Sequence, residues 1–585
     1  MDLEKPEAEG ERKAGRLMLG AALAMPFLQA AFVTLNTPIH DEVLYSESAF
    51  HRAIGTFRAA DISMIYDTRV GLTVPLSFLY RAFDGPSANV NSIFPLFMTV
   101  IVVLLAYRFG SRLFGTLAGG AGALLLMMSG HFLFYTRHMF PDVPLSAALL
   151  AVVYLIWEGR RAKTPMLGCA LMAAAGLSWN VAFTFKETIF AVAPVLALVA
   201  LWDLRNKRGI GRWLVFAATA LGFVVLHLHF YKVLTGSYFK RFEIMEGIHN
   251  RGQLEIIYHS LGAYLHRLLL GFLAIVLGRP GVIVEMAFAA PFMVGLFWKR
   301  AWPEIGSRER DLFLPIVCVG TIAFYWFGTS SPKHFIPVLV DYRNILPMCS
   351  LVAPLAGGTL AYLWRLGGEA REAALQRARP QLVVIFSVFV AGLCIDTAAF
   401  FIPSHFPGTL RSASAEAVAV LAAVGVWAML RRRAPTNPAP TATIAKGGLI
   451  AAFGYLALTL ATGADMYRRP AEHAYTRLFN DVAGQSPPAL LYAPDAPKDI
   501  LHFLSGYSDK RVEVQIIDDL ALARITAVQG RRTYLIFPLQ VMQGGYKAMG
   551  QTLPPDIEAV FDHPPANWKL VDDSLGVRLY EVSPG

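Results

Sequence analysis

Acids and bases able to move a proton and hold an anion recur in this chain at the ends of long apolar runs. The first run ends in Thr37-Pro-Ile-His-Asp-Glu42, which sets His40, Asp41 and Glu42 side by side. A carboxylate at that place suits general-base work on a hydroxyl. It equally suits the start of a surface helix that Asp41 caps. The flanking His40 and Glu42, and the return of charges in later loops, favour proton transfer. In Tyr135-Thr-Arg-His-Met-Phe-Pro-Asp142, Arg137 and Asp142 precede the next apolar run. Asp142 can cap that span and act chemically at once. Phe185-Lys-Glu-Thr188 joins two runs by a very short turn. Lys186 there either pairs with Glu187 or snorkels, or it joins other bases around an anion such as a phosphate. Ser330-Ser-Pro-Lys-His334 and Asp341-Tyr-Arg-Asn344 add Lys333, His334, Tyr342 and Arg343, and Tyr66-Asp-Thr-Arg69 adds Asp67 and Arg69. The arginine fork fits phosphate oxygens. Pairing of Arg343 with Asp341, or anchoring at the interface, is the plainer alternative. Lys240 and Arg241 read as surface anchors beside anionic headgroups.

The elements that must position these groups are membrane spans. With 585 residues, 55% of them hydrophobic and 16% charged, the chain is too apolar for a soluble enzyme of its size. The net charge of +10 sits in short loops, so it speaks for topology and against nucleic-acid binding. Cys169, Cys318, Cys349 and Cys394 fall in or beside apolar runs without metal-ligand spacing. A span needs about 20 apolar residues, which predicts about thirteen of them. They lie near 17–36, 93–109, 115–134, 143–157, 166–184, 188–203, 213–231, 281–298, 312–328, 345–364, 381–401, 415–430 and 447–463. Arginine and lysine crowd alternate loops, at Arg108 and Arg112, Arg160 to Lys163, Arg205 to Arg212, Lys299 to Arg310, Arg365 to Arg379 and Arg431 to Arg433. That alternation predicts a cytoplasmic tail over 1–16, a transmembrane domain over 17–463 with outer loops 37–92 and 232–280, and an extracytoplasmic region over 464–585. Amphipathic stretches at Ser46 to Phe57 and Leu254 to Leu270 fit helices lying along the outer surface. In the last region Leu490 to Tyr492, Val512 to Ile517, Tyr534 to Phe537 and Val577 to Val582 read as strands. Lys498 to Phe503 and Val541 to Gly550 read as helices, which makes a small α/β domain. It carries no phosphate loop, nucleophile elbow or metal triad.

Taken in order, His40-Asp41-Glu42, Tyr66 to Leu76, Tyr135 to Asp142, Phe185-Lys186-Glu187 and Tyr342 to Pro347 resemble the GT-C glycosyltransferases. The resemblance is to those that use a polyprenyl-phosphate sugar, among them protein O-mannosyltransferases and the lipid A aminoarabinose transferases. It covers roughly the first 350 residues and the plan of many spans followed by an outer domain. It implies a GT-C fold in an inner (plasma) membrane, with the site and the C-terminal domain outside. It further implies that Asp41 is the first-loop acid, acting as base or orienting the acceptor, and that Asp142 is the second acid, near the acceptor or a metal. Arg69 would bind the donor phosphate, and Lys186 and Arg343 match later bases. The chain departs from relatives in carrying Arg69 for lysine, Asp67 for glutamate and Arg343-Asn344 for Arg-Tyr.

The expected reaction moves a sugar from its lipid phosphate to a hydroxyl of a lipid, glycan or protein, with inversion at the anomeric carbon. Glu42 would assist Asp41; Lys333 and His334 would join the phosphate cations; His40, Asp67, Arg137, Glu187 and Tyr342 would support. A divalent ion between Asp41, Asp142 and the phosphate is compatible with these carboxylates, which by themselves establish no cofactor. A lipid flippase is the principal rival, though transporters place charges near mid-membrane in broken, repeated helices. A surface-glycan ligase is the second.

Overall fold

The computed structural model describes residues 8–32, 40–58, 62, 64–206, 209–250, 280–305, 312–328, 342–366, 371–401, 470–483, 489–494, 498–507, 512–517, 525, 527–540, 542–543, 552–574 and 577–584. The spans expected near 415–430 and 447–463 lie outside these residues, as do Lys333, His334, the stretch Leu254 to Leu270 and most of Val541 to Gly550. The chain divides into two compact units, Met1–Ala31 with Ile62–Gly71 and Pro95–Ala464, and Phe32–Asp61 with Leu72–Phe94 and Asp465–Gly585.

The first unit is helical. Its elements are α1 (Glu9–Phe32), the short α3 (Ile65–Thr68), most of α5 (Ala88–Phe114), α6 (Thr116–Met128), α7 (Gly130–Tyr135), α8 (Asp142–Arg161), α9 (Pro165–Phe185), α10 (Ala193–Arg205) and α11 (Ile210–Thr235). They continue with α12 (Lys240–Asn250), α13 (Pro280–Val294), α14 (Phe313–Phe327), α15 (Leu346–Leu366) and α16 (Arg371–Phe401). The apolar segments expected from 17–36 to 381–401 fall largely on these helices, with 115–134 divided between α6 and α7 and 188–203 opening in the 3-10 turn Glu187–Val192. Among the described residues, seven helices are long and apolar enough to cross a membrane, and three apolar helices are shorter.

The unit is centred on α15, whose apolar window is wholly buried. It packs on α6, α8, α13 and α14, while α9 lies between α8 and α11. Bilayer lipid supplies no hydrophobic drive between helices, so small residues that let backbones approach hold such pairs. Gly357 of α15 sits against α6 so closely that a Cβ there would meet the Ala118 carbonyl and the Gly122 backbone. At the far ends of α8 to α11, Arg160 makes two bonds to Asp203, of 2.6 and 2.7 Å, and Trp213 Nε1 donates to the same carboxylate at 3.0 Å. Arg212 donates to the carbonyls of Gly159, Arg160 and Ala162 and so closes the C-terminal end of α8.

The second unit joins α2 (His40–Ala53) and α4 (Val70–Ala82), which begins in the first, to the C-terminal sheet. Its helices are α17 (Pro470–Val482), α18 (Lys498–Leu504) and α19 (Pro555–Asp562). Its strands are β1 (Ala489–Ala493), β2 (Val512–Ile516), β3 (Thr533–Phe537), β4 (Trp568–Ser574) and β5 (Val577–Val582), in the order β2-β1-β3-β5-β4. The β1 strand is parallel to β2 and β3; β5 is antiparallel to β3 and β4. The α/β domain expected from the sequence is therefore present, with β4 added at an edge. That strand is irregular between Leu570 and Asp572, and its acidic pair hid it from a reading based on apolar alternation. The amphipathic helix expected to start at Ser46 starts instead at His40, which puts Asp41 and Glu42 inside its first turn.

Candidate active site

In the first unit, α8 follows a turn that ends in Phe140 and Pro141, and Asp142 opens the helix. Its carboxylate is 1% exposed and accepts from Lys186 Nζ at 2.7 Å through Oδ1. Its Oδ2 has no hydrogen-bond partner among the described residues. Pro141 holds the N-cap position, so Asp142 stands in the first turn of α8 as a charge at the helix N-terminus rather than as its cap. Lys186 ends α9 in an extended conformation (φ −156°, ψ 138°), which turns its side chain off the helix axis. It also donates to Asn344 Oδ1 in the 3-10 turn Tyr342–Ile345 that leads into α15. Burial pushes the Lys186 ammonium below its ordinary pKa; the Asp142 carboxylate opposes that, while Arg343 and Arg69 add to it.

Glu187, next in the chain, does not pair with Lys186 as one sequence reading had it. It takes Arg69 Nη2 at 3.3 Å and Arg241 Nη2 at 2.9 Å, one on each oxygen. Arg69 follows α3, whose last carbonyl, at Thr68, accepts from Tyr231 of α11 at 2.8 Å. Two residues on, a Cβ at Gly71 would collide with the Thr184 side chain and the Phe185 ring, so this strand of chain runs hard against the end of α9. Asp67 turns back to accept from the Met64 amide at 3.0 Å and fixes the start of α3.

Arg241 is a correction to the sequence reading, which made it a surface anchor. It is 1% exposed, donates to the Phe183 carbonyl at 2.7 Å and lies over the Phe183 ring. Arg343 is half-buried, with its guanidinium 4.8 Å from the centre of the Phe140 ring. Arg137 is buried and donates to the Gln29 carbonyl of α1 at 3.4 Å.

Among the described residues, Lys186, Arg69, Arg241 and Arg343 thus gather around Asp142 and Glu187. Bases brought together in this way suit an anion such as a lipid phosphate. Sequence reasoning missed Asn344 and Arg241. The first was signalled only by adjacency to Arg343, the second by nothing that separates a buried arginine from an interfacial one.

The other expected residues fall elsewhere. Asp41, half-buried, and Glu42, 2% exposed, belong to α2 in the second unit. His40 and Tyr342 lie on helices, at the start of α2 and of the 3-10 turn. Among the described residues, no group of three or more His, Cys, Asp or Glu could hold a metal ion. Asp142 already has an ammonium against one oxygen, so the described residues do not by themselves build a metal site.

A many-helix membrane unit with a mixed sheet domain at its C-terminal end is the GT-C fold that the sequence motifs foreshadow. ArnT from Cupriavidus metallidurans bound to undecaprenyl phosphate has it too, at 15% identity and a TM-score of 0.58 over 97% of both chains. The apo state of ArnT from Cupriavidus metallidurans matches at 15% identity and a TM-score of 0.54, again over 97% of both chains. Residues 77–231 match the model of the family described as dolichyl-phosphate-mannose-protein mannosyltransferase. No curated protein matches the chain by sequence.

Proposed function

We infer that the protein is a membrane glycosyltransferase that moves a hexose or pentose from a polyprenyl-phosphate donor to a hydroxyl acceptor at the extracytoplasmic face of the inner membrane. The observation that carries this reading is the gathering of Lys186, Arg69, Arg241 and Arg343 around Asp142 and Glu187 on a GT-C fold. Undecaprenyl phosphate bound to ArnT, and the dolichyl-phosphate-mannose description of the matching family, support the same class of donor.

In the proposed step, an acceptor oxygen forms a bond to the anomeric carbon from the face opposite the phosphate. The bond from that carbon to the phosphate oxygen breaks, its electron pair leaves with the lipid phosphate, and the configuration inverts. Asp41 takes the acceptor proton, with Glu42 beside it in the first turn of α2. Lys186, Arg69 and Arg343 meet the charge that develops on the leaving phosphate, where low dielectric makes each worth more than in water. Asp142 holds Lys186 in place, and its second oxygen remains available to the acceptor. Glu187, itself bonded by Arg241, holds Arg69.

The test is transfer from a panel of radiolabelled polyprenyl-phosphate sugars by the purified protein, with Asp41→Asn beside wild type. The reading expects transfer to fall by about 100-fold or more in Asp41→Asn while donor still binds. Lipid movement across proteoliposomes with no transfer from any donor would replace it with the flippase.

A further inference from the structure

The helix that carries Asp41 is built into the core of the sheet domain. Val43, two residues after Asp41, is fully buried in one apolar cluster with Leu478 of α17, Leu491 of β1, Leu501 of α18, Ile536 of β3 and Leu579 of β5. Tyr507 fastens the same face of α2. Its hydroxyl donates to the Val43 carbonyl at 2.9 Å, and its ring lies 5.3 Å from that of Phe50, two helical turns along. A carbonyl inside a helix already accepts from the amide four residues on, so this is an added bond made for position.

The backbone at Tyr507 makes the same point. Its φ is +53°, a left-handed conformation that costs a non-glycine residue about 1 kcal/mol or more and persists only where surroundings enforce it. Gly506 before it is left-handed as well, at φ +68°. The two reverse the chain at the end of α18, where the Tyr507 amide donates to the His502 carbonyl at 2.9 Å. Farther along α2, Asn91 donates to Ser46 Oγ at 2.7 Å and Tyr80 donates to Asn91 Oδ1 at 2.5 Å. Ser46 Oγ in turn donates to the Glu42 carbonyl at 2.7 Å. The first turn of α2 is thereby bonded both to the sheet domain and, through Ser46, to α4 with the start of α5.

We propose that Tyr507 is a positioning residue for Asp41, and that the C-terminal sheet domain takes part in transfer as the mount of that carboxylate. The proposal rests on the reading of Asp41 as base. It assigns the domain a role that the chemistry-poor sequence of residues 464–585 did not display, because the groups it supplies are a hydroxyl and an apolar seat.

The experiment is a double-mutant cycle on the full chain, with kcat, donor KM and thermal midpoint read for each protein. Tyr507→Phe deletes one hydroxyl and keeps the ring. Its kcat should fall about tenfold, as when a reacting group is slightly misplaced, with donor KM and thermal midpoint unchanged. In the Asp41→Asn background, the same substitution should remove nothing further from the residual rate. An equal fractional loss in both backgrounds overturns the proposal, because Tyr507 would then act on the whole protein. So does an unchanged kcat, or a loss that only tracks a lowered thermal midpoint. Full transfer by Asp41→Asn alone overturns the reading of Asp41 and this proposal together, which separates the two failures.

Discussion

Lys186 holds the most exacting position in the cluster. In the proposed step it meets the phosphate as an ammonium, yet burial and two nearby arginines push its pKa down, and the Asp142 carboxylate is what opposes them. Removing that carboxylate therefore lowers the Lys186 pKa further, and the ammonium is lost at a lower pH. For Asp142→Asn, the alkaline limb of kcat/KM should move to lower pH than in wild type; an unmoved limb would show that Lys186 does not govern it. Glu187 acts differently, since each of its oxygens takes a separate arginine. The sequence placed Lys186, Glu187, Arg69, Asp142 and Arg343 at loop ends, and these do come together. Which acid faces which base was not legible. Lys186 passes over its neighbour Glu187 for Asp142, 44 residues away, because the extended backbone at Lys186 points the two side chains apart.

At the scale of elements, the α6–α15 crossing depends on the absence of side chains. Gly357 lies against the backbone at Ala118 and Gly122, and the buried surroundings of α15 leave no room to yield. Gly357→Val should lower stability by about 3 kcal/mol, read as a lower thermal midpoint in detergent, with an unchanged midpoint counting against close packing. The helices themselves were legible because an apolar run of span length has few other uses. Strands were legible where they are buried, as in β3, and not where they carry charge at an edge, as in β4. The start of α2 was displaced because His40, Asp41 and Glu42 read as loop chemistry, whereas acids also favour the first turn of a helix.

For the whole molecule, the second unit draws its core from two distant parts of the chain. Val43→Asp should place an unpaired charge among Leu491, Leu501 and Ile536 and so weaken the C-terminal domain, at a cost of about 3 kcal/mol or more. Limited proteolysis would register this as faster cleavage within residues 465–585, and wild-type resistance would count against a shared core. The bond between Tyr507 and Val43 spans 464 residues of sequence. During synthesis, at about 5–20 residues per second, the helix bearing Asp41 therefore waits roughly 25–90 s after leaving the ribosome before its partner exists. The acid proposed to start the reaction is in this way among the last parts of the protein to be set in place, and an unfinished chain carries it without its seat.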